Sequence, residues 1–283
     1  MSGIETPMFL ASEGRRIFAV WHQPAADAGK VTDTAFVFCP PFAEEEKCCH
    51  RAFVDMARKL CSRGHPVLRI QYRGCGDSEG DFGDFSCADW EQDINNALAF
   101  LRRQGRPRLG LLGLRLGASL AGRVAESTGD VQNLILWEPI VNGRQYMSLN
   151  LRRKLLRRML TDKEGGESPP ASQATMTDGR TGIDFEGYWI SAEMQTQIGE
   201  IDLIADAKRF RGEVLLTQIS SQSSPGKTIR SLEDRYASAG ASVAVEAVVE
   251  QPIWNLLDLF HPTQLIDSTI DWMLARNRCV VER

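Results

Sequence analysis

The chain of 283 residues contains no run of about 18 apolar residues, the length a membrane-spanning helix needs. No C-x-x-C occurs among its seven cysteines, which argues against a zinc ribbon and a thioredoxin-type redox centre. G-x-x-x-x-G-K-[ST] is missing as well, so there is no P-loop. An excess of positive charge is also absent: Lys and Arg total 33 against 37 Asp and Glu, a net charge of −4. That balance lacks the field of a nucleic-acid binder, and no nucleic-acid partner is expected. Met1 to Arg16 lacks the charged-then-apolar order of a secretory leader. Together with an odd number of scattered cysteines, this leads to the expectation of a cytoplasmic protein with reduced thiols. Cys48, Cys49 and His50 adjoin, and Cys61 lies near His65, but neither group has metal-ligand spacing; no metal and no cofactor are expected.

What the sequence does hold is an ordinary globular balance, 43% hydrophobic and 25% charged, in alternating strand and helix patterns. Residues 16–21, 34–39, 66–72, 108–112 and 131–138 read as strands. Residues 47–63, 86–104 and 116–127 read as helices, the second with Trp90, Ile94, Ala97, Leu98 and Leu101 along one stripe. Such alternation predicts an α/β protein with a mostly parallel sheet and helices on both faces. The rhythm stops near residue 140. Residues 142–163 read as a basic helix, 164–182 as a loop and 191–209 as helix. The rhythm resumes with a strand at 213–219, a helix at 227–239, a strand at 242–249 and a helix at 262–275. The expected organisation is a core in two parts, 1–140 and 211–283, interrupted by a helical cap over 141–210.

The most informative segment is Gly113-Leu114-Arg115-Leu116-Gly117, between a strand and a helix. Its spacing is that of the nucleophile elbow, G-x-S-x-G, with Arg115 where the nucleophile stands. Arginine keeps its proton at physiological pH and serves neither as nucleophile nor as base. Cys39-Pro40-Pro41-Phe42-Ala43-Glu44-Glu45 follows one strand, Tyr72-Arg73-Gly74-Cys75-Gly76-Asp77-Ser78 follows the next, and Leu134-Ile135-Leu136-Trp137-Glu138-Pro139 comes after the elbow helix. The stretch from Gly74 to Gly80 has G-x-G-x-x-x-G spacing and acidic neighbours, which excludes a dinucleotide fingerprint.

In these segments, about Thr34 to Val141, the chain resembles the α/β-hydrolase superfamily. More narrowly, it resembles the second type of the hydrolase-like proteins associated with exosortase systems. The resemblance implies an α/β-hydrolase fold, an ester, thioester or acyl-transfer chemistry, and a cytoplasmic setting in a bacterial exosortase or exopolysaccharide system. It places His261 where the catalytic histidine of these folds resides. The strand read at 213–219 runs into Gln218-Ile219-Ser220-Ser221-Gln222, with no carboxylate at the usual acid position, so Glu138 is the candidate acid and Asp258 a further one. Cys39 and Cys75 read as inert buried thiols.

Arg115 admits two readings. It clamps a small acyl or anionic ligand, with Glu44, Glu45 and Leu116 beside it, or it pairs internally with Glu44, Glu45 or Glu138. The helix read at 142–160 carries Arg144, Arg152, Arg153, Lys154, Arg157 and Arg158. Leu149, Leu151, Leu155, Leu156, Met159 and Leu160 offer it an apolar face. Such a helix suits an acyl carrier protein or an anionic membrane surface, or is a lid with a solvated face.

Overall fold

A computed structural model of the chain describes residues 3–25, 31–161, 174–175, 181–185, 187–256 and 260–281, the side chains of 154–161, 174–175 and 276–281 excepted. Asp258 and most of the loop read at 164–182 lie outside the described residues. So do the side chains of Lys154, Leu155, Leu156, Arg157, Arg158, Met159, Leu160 and Cys279.

A hairpin of β1 (Ile4–Ser12) and β2 (Arg15–Gln23) precedes β3 (Thr34–Cys39), α1 (Glu44–Ser62), β4 (Val67–Ile70), α2 (Cys87–Arg103), β5 (Arg108–Leu114), α3 (Leu116–Thr128) and β6 (Val131–Trp137). After β6 come α4 (Gly143–Thr161), the short strands β7 (Ala174–Thr175), β8 (Thr181–Phe185) and β9 (Tyr188–Ser191), α5 (Ala192–Glu200) and α6 (Leu203–Asp206). The chain then returns through β10 (Glu213–Ser220), α7 (Lys227–Ala239), β11 (Ser242–Val249) and α8 (Thr263–Val281). The eight-stranded sheet has the order β1-β2-β4-β3-β5-β6-β10-β11. β1 and β2 are antiparallel to their neighbours and the rest of the sheet is parallel. β5 and β6 are almost continuously apolar because both of their faces are covered, which is what a parallel sheet requires. α1 and α8 supply the core on one face, with Phe53, Met56, Leu60, Leu265 and Ile270. α2, α3 and α7 supply it on the other, with Trp90, Leu98, Leu120 and Leu232.

Local chemistry explains the element ends that position the site. Ser86 caps α2 in a reciprocal box with Asp89. The turn after β4 is tied to α2 by the buried pair of Arg73 and Asp93, 2.7 Å apart, with Ser12 donating to the same carboxylate. The Ser78 hydroxyl closes that turn by donating to the Gln71 carbonyl.

Several sequence expectations need correction. β1 was not foreseen, and α1 begins at Glu44 rather than at residue 47. The helix read at 191–209 is two helices, because Asp202 starts a new cap that accepts from the Ala205 amide. β8 and β9 form a hairpin whose apolar side, Ile183 and Ile190, joins the core. Among the described side chains of α4, Tyr146 and Met147 are buried and Leu151 packs partly buried against the core, while Leu149 is exposed rather than part of an apolar face. No helix among the described residues is long and apolar enough to cross a membrane.

Candidate functional site at the β5–α3 elbow

β5 turns into α3 within one residue, and Arg115 is that residue. Its backbone angles, φ 56° and ψ −122°, lie in a region that side-chain-bearing residues avoid, at a cost of about 1–3 kcal/mol. The strain is held from three sides. The Arg115 amide donates to the Trp137 carbonyl at 3.0 Å, and its own carbonyl accepts from Ala118 and Ile140. Gly113 and Gly117 are required by closeness. A Cβ on Gly113 would stand 2.5 Å from the Gly117 carbonyl, and one on Gly117 would overlap the carbonyls of Cys39 and Pro40. The next corner along the sheet repeats this backbone: Ala43, between β3 and α1, has φ 53° and ψ −126°. That corner brings the first turn of α1 against the elbow.

The Arg115 side chain is only 13% exposed. Its guanidinium lies 4.6 Å from the centre of the Trp254 ring and 5.3 Å from that of Tyr146, an arrangement favourable to a cation. Trp254 belongs to a short 3₁₀ turn before α8, and Tyr146 to α4. Of the three carboxylates read as internal partners, Glu45 takes the position. Its Oε1 is 3.4 Å from Arg115 Nε and its side chain is 14% exposed. Burial pushes the Glu45 carboxyl up against the opposing pull of Arg115 and Tyr146. Its other oxygen, Oε2, is buried without a hydrogen bond of normal geometry among the described residues. The pair is therefore shielded but loose.

The other candidates lie elsewhere. Glu44 turns away, 3.0 Å from Lys47 Nζ and 3.4 Å from the Tyr188 hydroxyl. Glu138 is a neighbour of Arg115 but outside ion-pair distance; its Oε2 accepts from the Ile219 amide at 2.6 Å, and burial raises its carboxyl. The Leu116 side chain is buried in the core, and only its backbone amide, at the first position of α3, lacks an acceptor within the helix. His261 is exposed, and its Nδ1 lies 2.8 Å from Asp55 Oδ2. Asp55 and Glu45 are ten residues apart on α1, about 15 Å along the helix, so His261 is not brought to the elbow.

Ser119, Cys39 and Cys75 are not available at this corner as nucleophiles. The Ser119 hydroxyl is buried and donates to the Ile140 carbonyl at 2.8 Å. Cys39 and Cys75 are buried, and burial pushes both thiols up, which removes the thiolate needed for attack. Sequence reasoning did not single out Tyr146 or Trp254. An aromatic residue in a helix or a tight turn reads as core, and nothing local announces that it will stack on a distant guanidinium.

No family model matches the chain, and no curated protein matches it. Solved structures do. The ferulic-acid-bound esterase Est1E from Butyrivibrio proteoclasticus superimposes with a TM-score of 0.64 at 16% identity, over 95% of this chain and 98% of that one. DcsB in complex with its substrate analogue gives 0.64 at 14% identity, over 96% and 99%. The Pyrococcus furiosus esterase Pf2001 gives 0.61 at 12% identity, over 97% and 90%. With a mostly parallel sheet, helices on both of its faces and these likenesses along nearly its whole length, the chain has the α/β-hydrolase fold.

Proposed function

We propose that this protein is a non-hydrolytic relative within the α/β-hydrolase fold that binds an acyl, ester or thioester ligand instead of turning it over. One observation carries the reading: a permanently charged guanidinium occupies the strained elbow apex, between Trp254 and Tyr146 and beside Glu45. A covalent acyl-enzyme needs a nucleophile, a base beside it and a group orienting the base. Arg115 supplies none of these. Arg115 does supply parallel donors for a carboxylate or phosphate. An anionic ligand would take the place of Glu45, whose carboxyl is pushed up by burial and whose Oε2 has no hydrogen bond of normal geometry among the described residues.

The segment from α4 to α6 serves in this reading as the cap that closes the site. Arg144, Arg152 and Arg153 on α4 are exposed, which supports docking of an acyl carrier protein or an anionic membrane surface. The likeness of the segments around Glu44, Gly76 and Arg115 to exosortase-associated proteins supports a place in a bacterial exosortase or exopolysaccharide system. The second reading is hydrolysis, favoured by the Asp55–His261 pair, whose geometry resembles an oriented base.

The test measures turnover of p-nitrophenyl esters and of octanoyl-N-acetylcysteamine thioester by the whole chain and by His261→Ala. We expect no turnover, and a rise in melting temperature with octanoyl thioester or octanoate that Arg115→Ala abolishes. Turnover that disappears in His261→Ala would establish the hydrolytic reading instead.

A further inference from the structure

α1 carries two neighbouring glutamates to different places. Successive helical residues point about 100° apart, so while Glu45 reaches Arg115, Glu46 reaches Gln71 and a separate cavity. This cavity, about 260 Å³, lies on the α1 face of the sheet at the carboxyl ends of β3 and β4. Phe18, Val20, Pro41 and Phe53 give it apolar walls, and Arg69 projects among them; Arg115 is not part of its lining.

Arg69 is the unusual member. It is half-buried in a strand otherwise made of Val67, Leu68 and Ile70. Its Nε donates to His22 Nε2 at 2.9 Å. His22 is buried, and burial, helped by the Arg69 charge, holds its imidazole down to about 4, so it accepts as a neutral ring. Among the described residues no carboxylate stands within ion-pair distance of Arg69, and the distant charge of Glu5 is the main favourable one. A guanidinium has five N–H donors; His22 takes one, and the remaining four have no partner among the described residues. A half-buried cation with no carboxylate at ion-pair distance, beside an apolar cavity of ligand size, suits an anion.

We propose that this cavity is a second binding site, for a small organic monocarboxylate whose carboxylate pairs with Arg69 and whose apolar body packs on Phe18, Val20 and Phe53. The guanidinium fork matches a carboxylate in two parallel hydrogen bonds. The apolar walls match an aromatic or branched body, and the volume limits that body to a small one. Asp77 on the lining disfavours a doubly charged phosphate. Burial holds the Glu46 carboxyl on the lining up to about 7, which lessens its repulsion of an anion. The site depends on Arg69 and not on the reading given for Arg115.

Calorimetric titration of the full chain with benzoate and 3-phenylpropanoate, against benzyl alcohol and inorganic phosphate, tests this. We expect the two acids to bind and the alcohol and phosphate not to. Arg69→Gln should weaken the acids at least tenfold. Val20→Phe fills the cavity without altering any charge, should do the same, and decides the matter if Arg69→Gln does not fold. The neutral pair Arg115→Gln with Glu45→Gln should keep Kd within about twofold. No binding at 20 mM acid overturns the proposal, as does equal binding of phosphate, or a Kd unmoved by both cavity variants. Loss of binding only in the Arg115 and Glu45 pair would place the acid at the elbow, overturning this site and leaving the elbow reading intact.

Discussion

Arg115 and Arg69 are two shielded guanidiniums near the carboxyl edge of one sheet, and they are held in opposite ways. Arg115 has a carboxylate at 3.4 Å and two aromatic faces. Arg69 has one neutral imidazole and an open cavity. Strand and helix ends collect charged residues for ligand chemistry in open α/β sheets, but position alone does not make a charge available. Its partners do. The elbow cation is satisfied by the fold, so its removal is expected to be felt in stability first. The cavity cation is satisfied poorly, so its removal is expected to be felt in binding first.

The largest effect should follow from removing Arg115. Arg115→Ala leaves Glu45 shielded and unpaired and should cost about 2–4 kcal/mol by urea denaturation, below the full buried-pair value because both groups keep some solvent. Adding Glu45→Gln should restore part of the loss, and a double variant as unstable as Arg115→Ala would break the account of the pair. Next, Trp254→Leu keeps an apolar side chain but removes the ring from under the guanidinium, for a loss of about 1–2 kcal/mol.

The third prediction concerns pH. A carboxyl whose pKa is raised by folding stabilises the folded state below its unfolded value, and that contribution is lost as pH rises through the folded value. Glu46 moves from 4.5 to about 7, so its contribution fades across that range. His22 moves the other way, from 6.5 to about 4, and its contribution is lost as pH falls through that range. Glu46→Gln should therefore gain stability relative to the wild type as pH rises from 4.5 to 7, by about 3 kcal/mol at most. Melting temperatures at four pH values would show it, and a constant difference would refute it. Smallest of all, Arg69→Gln should change stability by less than about 1 kcal/mol, since one hydrogen bond to a neutral ring is lost. A loss as large as that of Arg115→Ala would erase the contrast between the two arginines.

Much of this architecture is legible in local pattern. The strand at Thr34–Cys39, the helix at Lys227–Ala239 and the strand at Ser242–Val249 match the sequence reading to the residue, because each is a strong apolar period bounded by turn residues. The elbow is legible because two glycines two residues either side of its centre answer to a backbone clash. β1 escaped notice since it is a mostly exposed edge strand with little apolar alternation. The β8–β9 hairpin escaped because its strands are short and only Ile183 and Ile190 among their apolar side chains are fully buried, with Phe185 and Tyr188 packing partly buried beside them. For the site, Glu45 was among three carboxylates that sequence could not rank: choosing it requires the angle at which α1 leaves the Ala43 corner. One local signal was available for the cavity, a single arginine inside the apolar run Val67 to Ile70.

The sequence by itself determined the alternation of strands and helices, the sharp turn at residues 113–117 and the arginine at its apex, because periodicity, glycine spacing and side-chain identity are local properties. Tertiary structure alone decided which charges are satisfied. Arg115 meets Glu45, Tyr146 and Trp254 from three separate elements, and Arg69 meets a histidine from the antiparallel neighbour strand. Partners so far apart along the chain are assigned by packing, and the electrostatics of a shielded cation depend on those partners.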